Sequence, residues 1–217
     1  MNGHKHINDL LYCKINDYDS SLKKFDEDSK VRFFDRIKQG YINSGSQYEG
    51  KIVDKDMGWY HFKSWKLLGT EKISNSKQMH RFYCGITNEK VYEFVRILYD
   101  KLMYKNIPFY FKVSRTENDR PDNIVIYTST ELLQDTMDIL NEIEVERTDL
   151  FEKYVEPSIL VGKCSNKIGY AEEVPDINLS YTDLICTLFT RTLSASLHEY
   201  AYNNPNSQVD RKSTRLN

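Results

Sequence analysis

Lys112 is the residue through which this sequence could do chemistry. It stands in "PFYFKVS", an apolar stretch in which strand alternation gives Phe111 and Val113 to one face and puts Lys112 on the other with Tyr110 and Ser114. A lysine so placed is either an ordinary surface charge or a catalytic group, and the destination of its side chain decides which. Other cationic and phenolic groups lie nearby in the sequence: His80, Arg81 and Tyr83 in "MHRFYCGI", then Arg115, Arg120 and Tyr127 in "SRTENDRPDNIVIYTS". By the same parity Tyr83 shares a face with Arg81 and Gly85, opposite Phe82 and Cys84. If the two strands are adjacent, Tyr83 and Lys112 meet over one spot of the sheet. The plainer reading is a solvent face that happens to carry lysine and tyrosine, and at this point both readings stand.

The signatures of other chemistries are missing. The sequence has no GxGxxG, GxxxxGK[ST], HExxH or GxSxG, so nucleotide, zinc-protease and serine-hydrolase readings lose their main support. The histidines are His4, His6, His61, His80 and His198, and only His4 and His6, near the N-terminus, stand at metal-ligand spacing. No metal or organic cofactor is expected. Cys13, Cys84, Cys164 and Cys186 are widely spaced without a CxxC pair, as expected of reduced thiols in a cytoplasm. Basic and acidic residues number 30 and 32 in 217 residues, a balance that offers no field for nucleic acid or an anionic membrane. Mean hydropathy is −0.63 and no apolar run approaches membrane-spanning length, so a soluble chain is expected, and the N-terminus lacks the apolar stretch of a signal peptide.

The elements that must position these residues follow from periodicity. Residues 1–70 read as a helical N-terminal part of one domain: Val31, Phe34 and Ile37 suggest a short amphipathic helix closed by Gly40, "QGYINSGSQYEG" a loop, and "MGWYHFKSW" an aromatic patch that docks the helices. Residues 71–202 read as an α+β core. Met79 to Ile86 is a strand; a helix capped by Thr87 or Asn88 follows, with Val91, Phe94, Val95, Leu98 and Leu102 in one stripe and a stop at Asn106 and Pro108. "PFYFKVS" and "DNIVIYTS" are strands, and "TELLQDTMDILNEI" is a helix with Leu133, Met137 and Leu140 inward. The order β-α-β-β-α implies an antiparallel or mixed sheet flanked by helices, not a strict βαβ fold. A last helix, Thr182 to Tyr200, presents Ile185, Leu188, Phe189 and Leu193 as its apolar side. Residues 203–217 have the composition of a disordered tail, and "DRKSTRLN" (Asp210 to Asn217) resembles a translated sequencing-adapter peptide, so it reads as non-native.

The order "RFYCGI", helix, "IPFYFKVS", "RPDNIVIYTS", helix, "GKCSNKIGYAEEVP" and "LSYTDLICTLF" resembles the HopA-type effector family of plant-pathogenic bacteria, with relatives in lanthipeptide and thioamide peptide biosynthesis. The likeness runs from Met79 to Leu188. Arg120, Asp122, Val125 and Tyr127 fill one family motif, and Gly169, Ala171, Glu172 and Pro175 approximate another. The helix-start motif departs: Ser180 and Tyr181 stand for its Ser-Phe, Thr182 for its glycine and Ile185 for its arginine, so that arginine is lost or Arg191 replaces it.

The resemblance implies a metal-independent phosphoserine/phosphothreonine lyase, which strips an α-proton and expels phosphate from the β-carbon to leave a dehydroamino acid. Lys112 would be the base, which must be neutral when it acts; partial desolvation and neighbouring cations favour that form of a lysine. Tyr83 takes the position of the general acid, with His80 or His61 as alternatives. Arg120, Tyr127, Lys163 and Arg191 would hold the phosphate. The implied partners are a phosphorylated precursor peptide, a separate kinase-like protein and a cyclase, in the cytoplasm, or in a host cell if the chain is a secreted effector. The alternative is a non-catalytic phosphopeptide-binding or host-directed effector module.

Overall fold

A computed structural model of the chain describes residues 50–56, 59–64, 79–87, 89–114, 120–158, 160–174 and 181–204. The expected helix around Val31 to Ile37, Arg115, and the tail beyond residue 204 lie outside the described residues. The fold is α+β. Seven strands, β1 (Gly50–Asp56), β2 (Trp59–Ser64), β3 (Met79–Cys84), β4 (Tyr110–Ser114), β5 (Ile124–Ser129), β6 (Gly162–Lys163) and β7 (Ile168–Glu172), form one sheet in the order β1-β2-β4-β5-β3-β7-β6. Every pairing is antiparallel. Among the described residues, α1 (Val91–Tyr104) and α2 (Leu133–Glu146) of this unit contribute to its core, with Ile107, Phe109, Leu150 and Phe151 from the connections; α3 (Tyr181–Asn203) belongs to a second compact unit.

Alternation makes one face of the sheet apolar. Phe62, Phe111, Ile126 and Phe82 sit side by side across four strands. Phe62 and Phe111 stack at 4.8 Å, and all four are buried. Against them pack Phe94, Val95, Leu98 and Leu102 of α1 and Ile139, Leu140 and Ile143 of α2. The helices are tied to each other at their rims, where Lys101 pairs with Glu142 and Glu146 and Lys105 with Glu142.

The stripe expected of α1 is the buried one, with Tyr99 added, and Asn106 ends the helix in the left-handed region at φ 56°. Its start differs from expectation: Lys90 is the N-cap and has no side-chain cap bond, while the Thr87 carbonyl accepts from the amides of Lys90 and Val91. On α2, Leu140 is buried as expected, whereas Leu133 and Met137 are only partly buried and Thr136, Ile139 and Ile143 complete the inner side. Thr136 tolerates burial because its hydroxyl donates to the Leu132 carbonyl and pairs with Thr128.

Two expectations are corrected. The part expected to be helical contains β1 and β2, and "MGWYHFKSW" is largely a strand paired with β4, not a patch for docking helices. Its aromatics alternate, so Phe62 joins the core while Trp59 and His61 take the other face. On α3 the buried line is Thr182, Cys186 and Thr190, while Leu188, Phe189 and Leu193 are exposed and Ile185 is half-buried. Thr190 can occupy that line because its hydroxyl donates to the Cys186 carbonyl, leaving no orphan donor. No helix among the described residues is long and apolar enough to cross a membrane.

Candidate functional site

The second face of the sheet carries the charge. Along one cross-strand row lie His61, Lys112, Val125, Tyr83 and Gly169, from β2, β4, β5, β3 and β7 in turn. The next row holds Tyr110, Tyr127, Arg81 and Ala171. Parity alone therefore gathers Lys112, Tyr83, Arg81 and Tyr127 on one face. Tyr83 and Lys112 are not on adjacent strands, however: β5 runs between them, so their backbones stand about 10 Å apart and only the side chains can close the gap.

Aromatic rings position the cations. The Lys112 Nζ lies 4.2 Å from the centre of the Trp59 ring and 5.8 Å from that of Tyr127. The Arg120 guanidinium is 5.1 Å from the Trp59 ring, and that of Arg81 is 5.0 Å from Tyr127. Tyr127 is flanked by Arg81 on one neighbouring strand and by Tyr110, stacked at 4.6 Å, on the other. Tyr110 in turn hydrogen-bonds through its hydroxyl to Nδ1 of His61 at 2.7 Å. Ring faces attract cations, which helps three positive groups to gather here. Lys112 is half-buried.

Two carboxylates set the electrostatics at the margins. Asp122 engages Arg120 side-on, taking Nε at 2.6 Å and Nη2 at 3.1 Å, with the arginine buried and the aspartate nearly so (9% and 13% exposed). The edge that sequence reasoning assigned to phosphate is thus occupied by an acid two residues away. Glu173 pairs with Nη2 of Arg81, leaving the Nε of Arg81 buried without a hydrogen-bond partner. The Tyr83 hydroxyl is also buried and makes no hydrogen bond of good geometry, with Arg81 beside it and Tyr127 and Asp122 near. Burial, before any charge effect, raises its pKa well above the ordinary phenol range, so Tyr83 is a proton holder and a hydrogen-bond donor.

A loop closes the Tyr83 side. Val155 donates its amide to the Gly85 carbonyl at 2.9 Å, and a Cβ on Gly85 would run into the Val155 carbonyl. A Cβ on Gly169 would meet Val161 at 2.8 Å and Pro157 at 3.0 Å. The two glycines let Val155, Pro157 and Val161 lie against the sheet beside Tyr83. At the other end Asn123 accepts from the Ile86 amide at 3.0 Å and donates to its carbonyl, pinning the start of β5 to the end of β3.

Lys112, Tyr83, Arg120 and Tyr127 come together. His80 does not: it is on the apolar face, where Nδ1 meets the Tyr170 hydroxyl at 2.6 Å and Nε2 the Thr130 hydroxyl at 3.1 Å. An odd spacing from Tyr83 puts it there, because side chains alternate along β3. Lys163 shares the face but is exposed on β6, four strands from Lys112 and about 19 Å away at the usual strand spacing. Arg191 is exposed on α3, in the second unit. Sequence reasoning did not place Trp59, Tyr110, Asp122 or Glu173 in the site. The alternation W-x-H in "WYHFKS" was the available signal for a strand with Trp59 and His61 on one side.

Comparisons with known proteins bear on this arrangement. Residues 67–195 match the HopA1 effector protein family. An effector protein from Pseudomonas syringae pv. tomato strain DC3000 has a similar structure, with TM-score 0.59 at 10% identity over 88% of this chain and 84% of that one. A second, from Pseudomonas syringae pv. syringae strain 61, gives 0.53 at 10% identity over 83% and 78%. At that identity the likeness is one of fold. No protein with a curated description matches the sequence.

Proposed function

The chain belongs to the HopA1 effector protein family, and from that premise we propose that it eliminates phosphate from phosphoserine or phosphothreonine in a peptide. The observation that carries the reading is the gathering of Lys112, Arg81, Arg120 and Tyr83 on one sheet face around Trp59 and Tyr127. In its neutral form Lys112 takes the α-proton; the C–H electron pair becomes the Cα=Cβ bond, the Cβ–O bond breaks, and phosphate departs with that bond's electrons. Arg81 and the Arg120 charge stabilise the leaving dianion, and the Tyr83 hydroxyl donates toward the leaving oxygen. Arg120, its edge held by Asp122, acts as a fixed positive charge that also seats Trp59, and Arg81 is the better placed of the two to grip oxygen. His61, across from Lys112 and bonded to Tyr110, is the second proton carrier within reach.

The substrate in this reading is a phosphorylated precursor peptide supplied by a separate kinase-like protein, with a cyclase consuming the dehydroamino acid; delivery into a host cell would replace that peptide with a host protein. The test is mass spectrometry of a phosphothreonine peptide incubated with the protein. Elimination removes phosphoric acid, about 98 mass units, whereas hydrolysis would remove about 80, so the two are separable by product mass. An unchanged peptide at high enzyme concentration would refute the lyase reading. A second reading, a module that binds phosphopeptide without turnover, is favoured by the occupied edge of Arg120 and by Ile185 in place of the family's arginine. Tight binding with no mass loss would establish it.

A further inference from the structure

The two arginines of the site hold their carboxylates differently. Asp122 grips Arg120 through Nε and Nη2 together, two residues away in sequence and almost out of solvent. Glu173 pairs with Nη2 of Arg81 and leaves its Nε unengaged, and its side chain is 27% exposed against 12% for the arginine. Its backbone is fixed, since the Glu173 amide donates to the Met79 carbonyl at 2.7 Å, but its carboxylate stands at the solvent side of the pair. Near it, Arg81 Nε and the Tyr83 hydroxyl are buried without a hydrogen bond of good geometry, the arginine beside the phenol. Buried orphan donors cost free energy that an acceptor from outside can recover.

We propose that Glu173 is an internal competitor for the anion site: its carboxylate occupies Arg81 until the phosphate of the substrate displaces it, and it thereby sets the charge a ligand must carry. This rests on the reading of the face as a phosphate-ester pocket. A phosphate dianion brings three acceptor oxygens, enough to replace Glu173 on Nη2 and to reach Arg81 Nε and the Tyr83 hydroxyl. A carboxylate brings one charge and two oxygens, no more than Glu173 already supplies, so an acidic residue in a peptide gains nothing by exchange. Glu173 is therefore the specificity-determining residue that lets phosphopeptides in and keeps unmodified acidic peptides out.

The test measures binding, separately from turnover. Inorganic phosphate and a peptide with glutamate in place of phosphothreonine are titrated calorimetrically into wild type, Glu173→Gln, Glu173→Ala, Arg81→Gln and the Arg81→Gln/Glu173→Gln double variant. Removing the competing charge should tighten phosphate binding roughly tenfold and bring the glutamate peptide into measurable range. In the Arg81→Gln background the Glu173 change should have no effect. Unchanged or weaker phosphate binding in both Glu173 variants would overturn the proposal, as would a gain that persists without Arg81. Loss of the fold in both variants would overturn it too, since a displaceable carboxylate cannot be a requirement for folding. The lyase reading fails on different data: tighter binding without elimination leaves the competitor standing, and elimination with unaltered binding leaves the lyase standing.

Discussion

The two faces of the sheet are built from the same strands and show what alternation can do. On one, Phe62, Phe82 and Phe111 disappear under α1 and α2, and the polar groups that go with them, Thr128, Thr136 and His80, all have partners. On the other, Lys112, Arg81 and Arg120 sit against rings, Arg81 Nε and the Tyr83 hydroxyl are buried without a well-formed hydrogen bond, and a loop admitted by Gly85 and Gly169 lies over one end. The first face is satisfied; the second is not. Unsatisfied groups and convergent like charges are costs to the fold, and they concentrate where a ligand can relieve them.

Neighbouring residues on β4 test this contrast most sharply. Phe111→Ala should cost about 3–5 kcal/mol in a denaturant titration, because it empties a well-packed site. Lys112→Ala should cost less than about 1 kcal/mol yet lower elimination about 10²- to 10⁴-fold. Lys112→Arg should be equally inactive, since a guanidinium does not give up its proton near neutrality. Similar stability losses for the two alanine variants would erase the distinction between the faces, and substantial turnover by Lys112→Arg would remove Lys112 as the base.

The arginine clamp gives the next largest effect. Asp122→Ala removes the two-point partner of a buried guanidinium and should cost about 3 kcal/mol in the same titration. Arg120→Lys keeps the charge but loses the two-point contact, so it should fall between that variant and an exposed arginine-to-lysine change. If Asp122→Ala were neutral, the clamp would not be what fixes the Arg120 charge, and that assignment to Asp122 would be wrong.

Tyr83→Phe should move stability and activity in opposite directions. Deleting a buried hydroxyl without a well-formed hydrogen bond should stabilise the fold by about 1 kcal/mol, while turnover falls for want of a donor. The pH profile adds a signature. Because its pKa is raised in the folded state, Tyr83 supports stability fully below the ordinary phenol range and progressively less as pH climbs through and above it. The phenylalanine variant should retain stability there, as read from the alkaline limb of an unfolding series. A wild-type-like limb would mean that the hydroxyl finds a partner.

The smallest effect lies away from the site. Arg147, bonded to Glu93 and Asp149, ties the first turn of α1 to the turn after α2. Hydrogen bonds from Arg147, with help from Lys90, hold the Asp149 carboxyl well below the usual carboxylate range. That stabilisation is complete above the ordinary carboxylate pKa and fades as pH falls toward the depressed value, so Asp149→Asn should flatten the acid limb of the stability profile and leave elimination unchanged. A changed rate would show that the helix layer and the charged face are coupled.

Much of the fold is legible in the sequence because local pattern and tertiary demand agree. A stripe at helical spacing from Val91 to Leu102 can bury itself in only one way, and strand parity alone names the companions of Lys112 and Tyr83. Parity fails where a segment is assigned the wrong type: "MGWYHFKSW" reads as a patch, and with that reading Trp59 is lost from the site and β2 from the sheet. On α3, hydrophobicity points to Leu188, Phe189 and Leu193, but small side chains at Thr182, Cys186 and Thr190, one hydroxyl bonded internally, form the buried line.

The sequence by itself determined which side chains share a face, because that depends only on counting along a strand. The order of strands was decided by the tertiary structure alone: β5 separates Tyr83 from Lys112, and β7 brings Glu173 to Arg81. Counting cannot supply that order, since pairing joins segments far apart in the chain and is chosen by the packing of the whole apolar face. The same holds for charge. An arginine two residues from an aspartate and another ninety-odd residues from a glutamate look alike as letters, yet burial makes the first pair a fixture and leaves the second open to exchange.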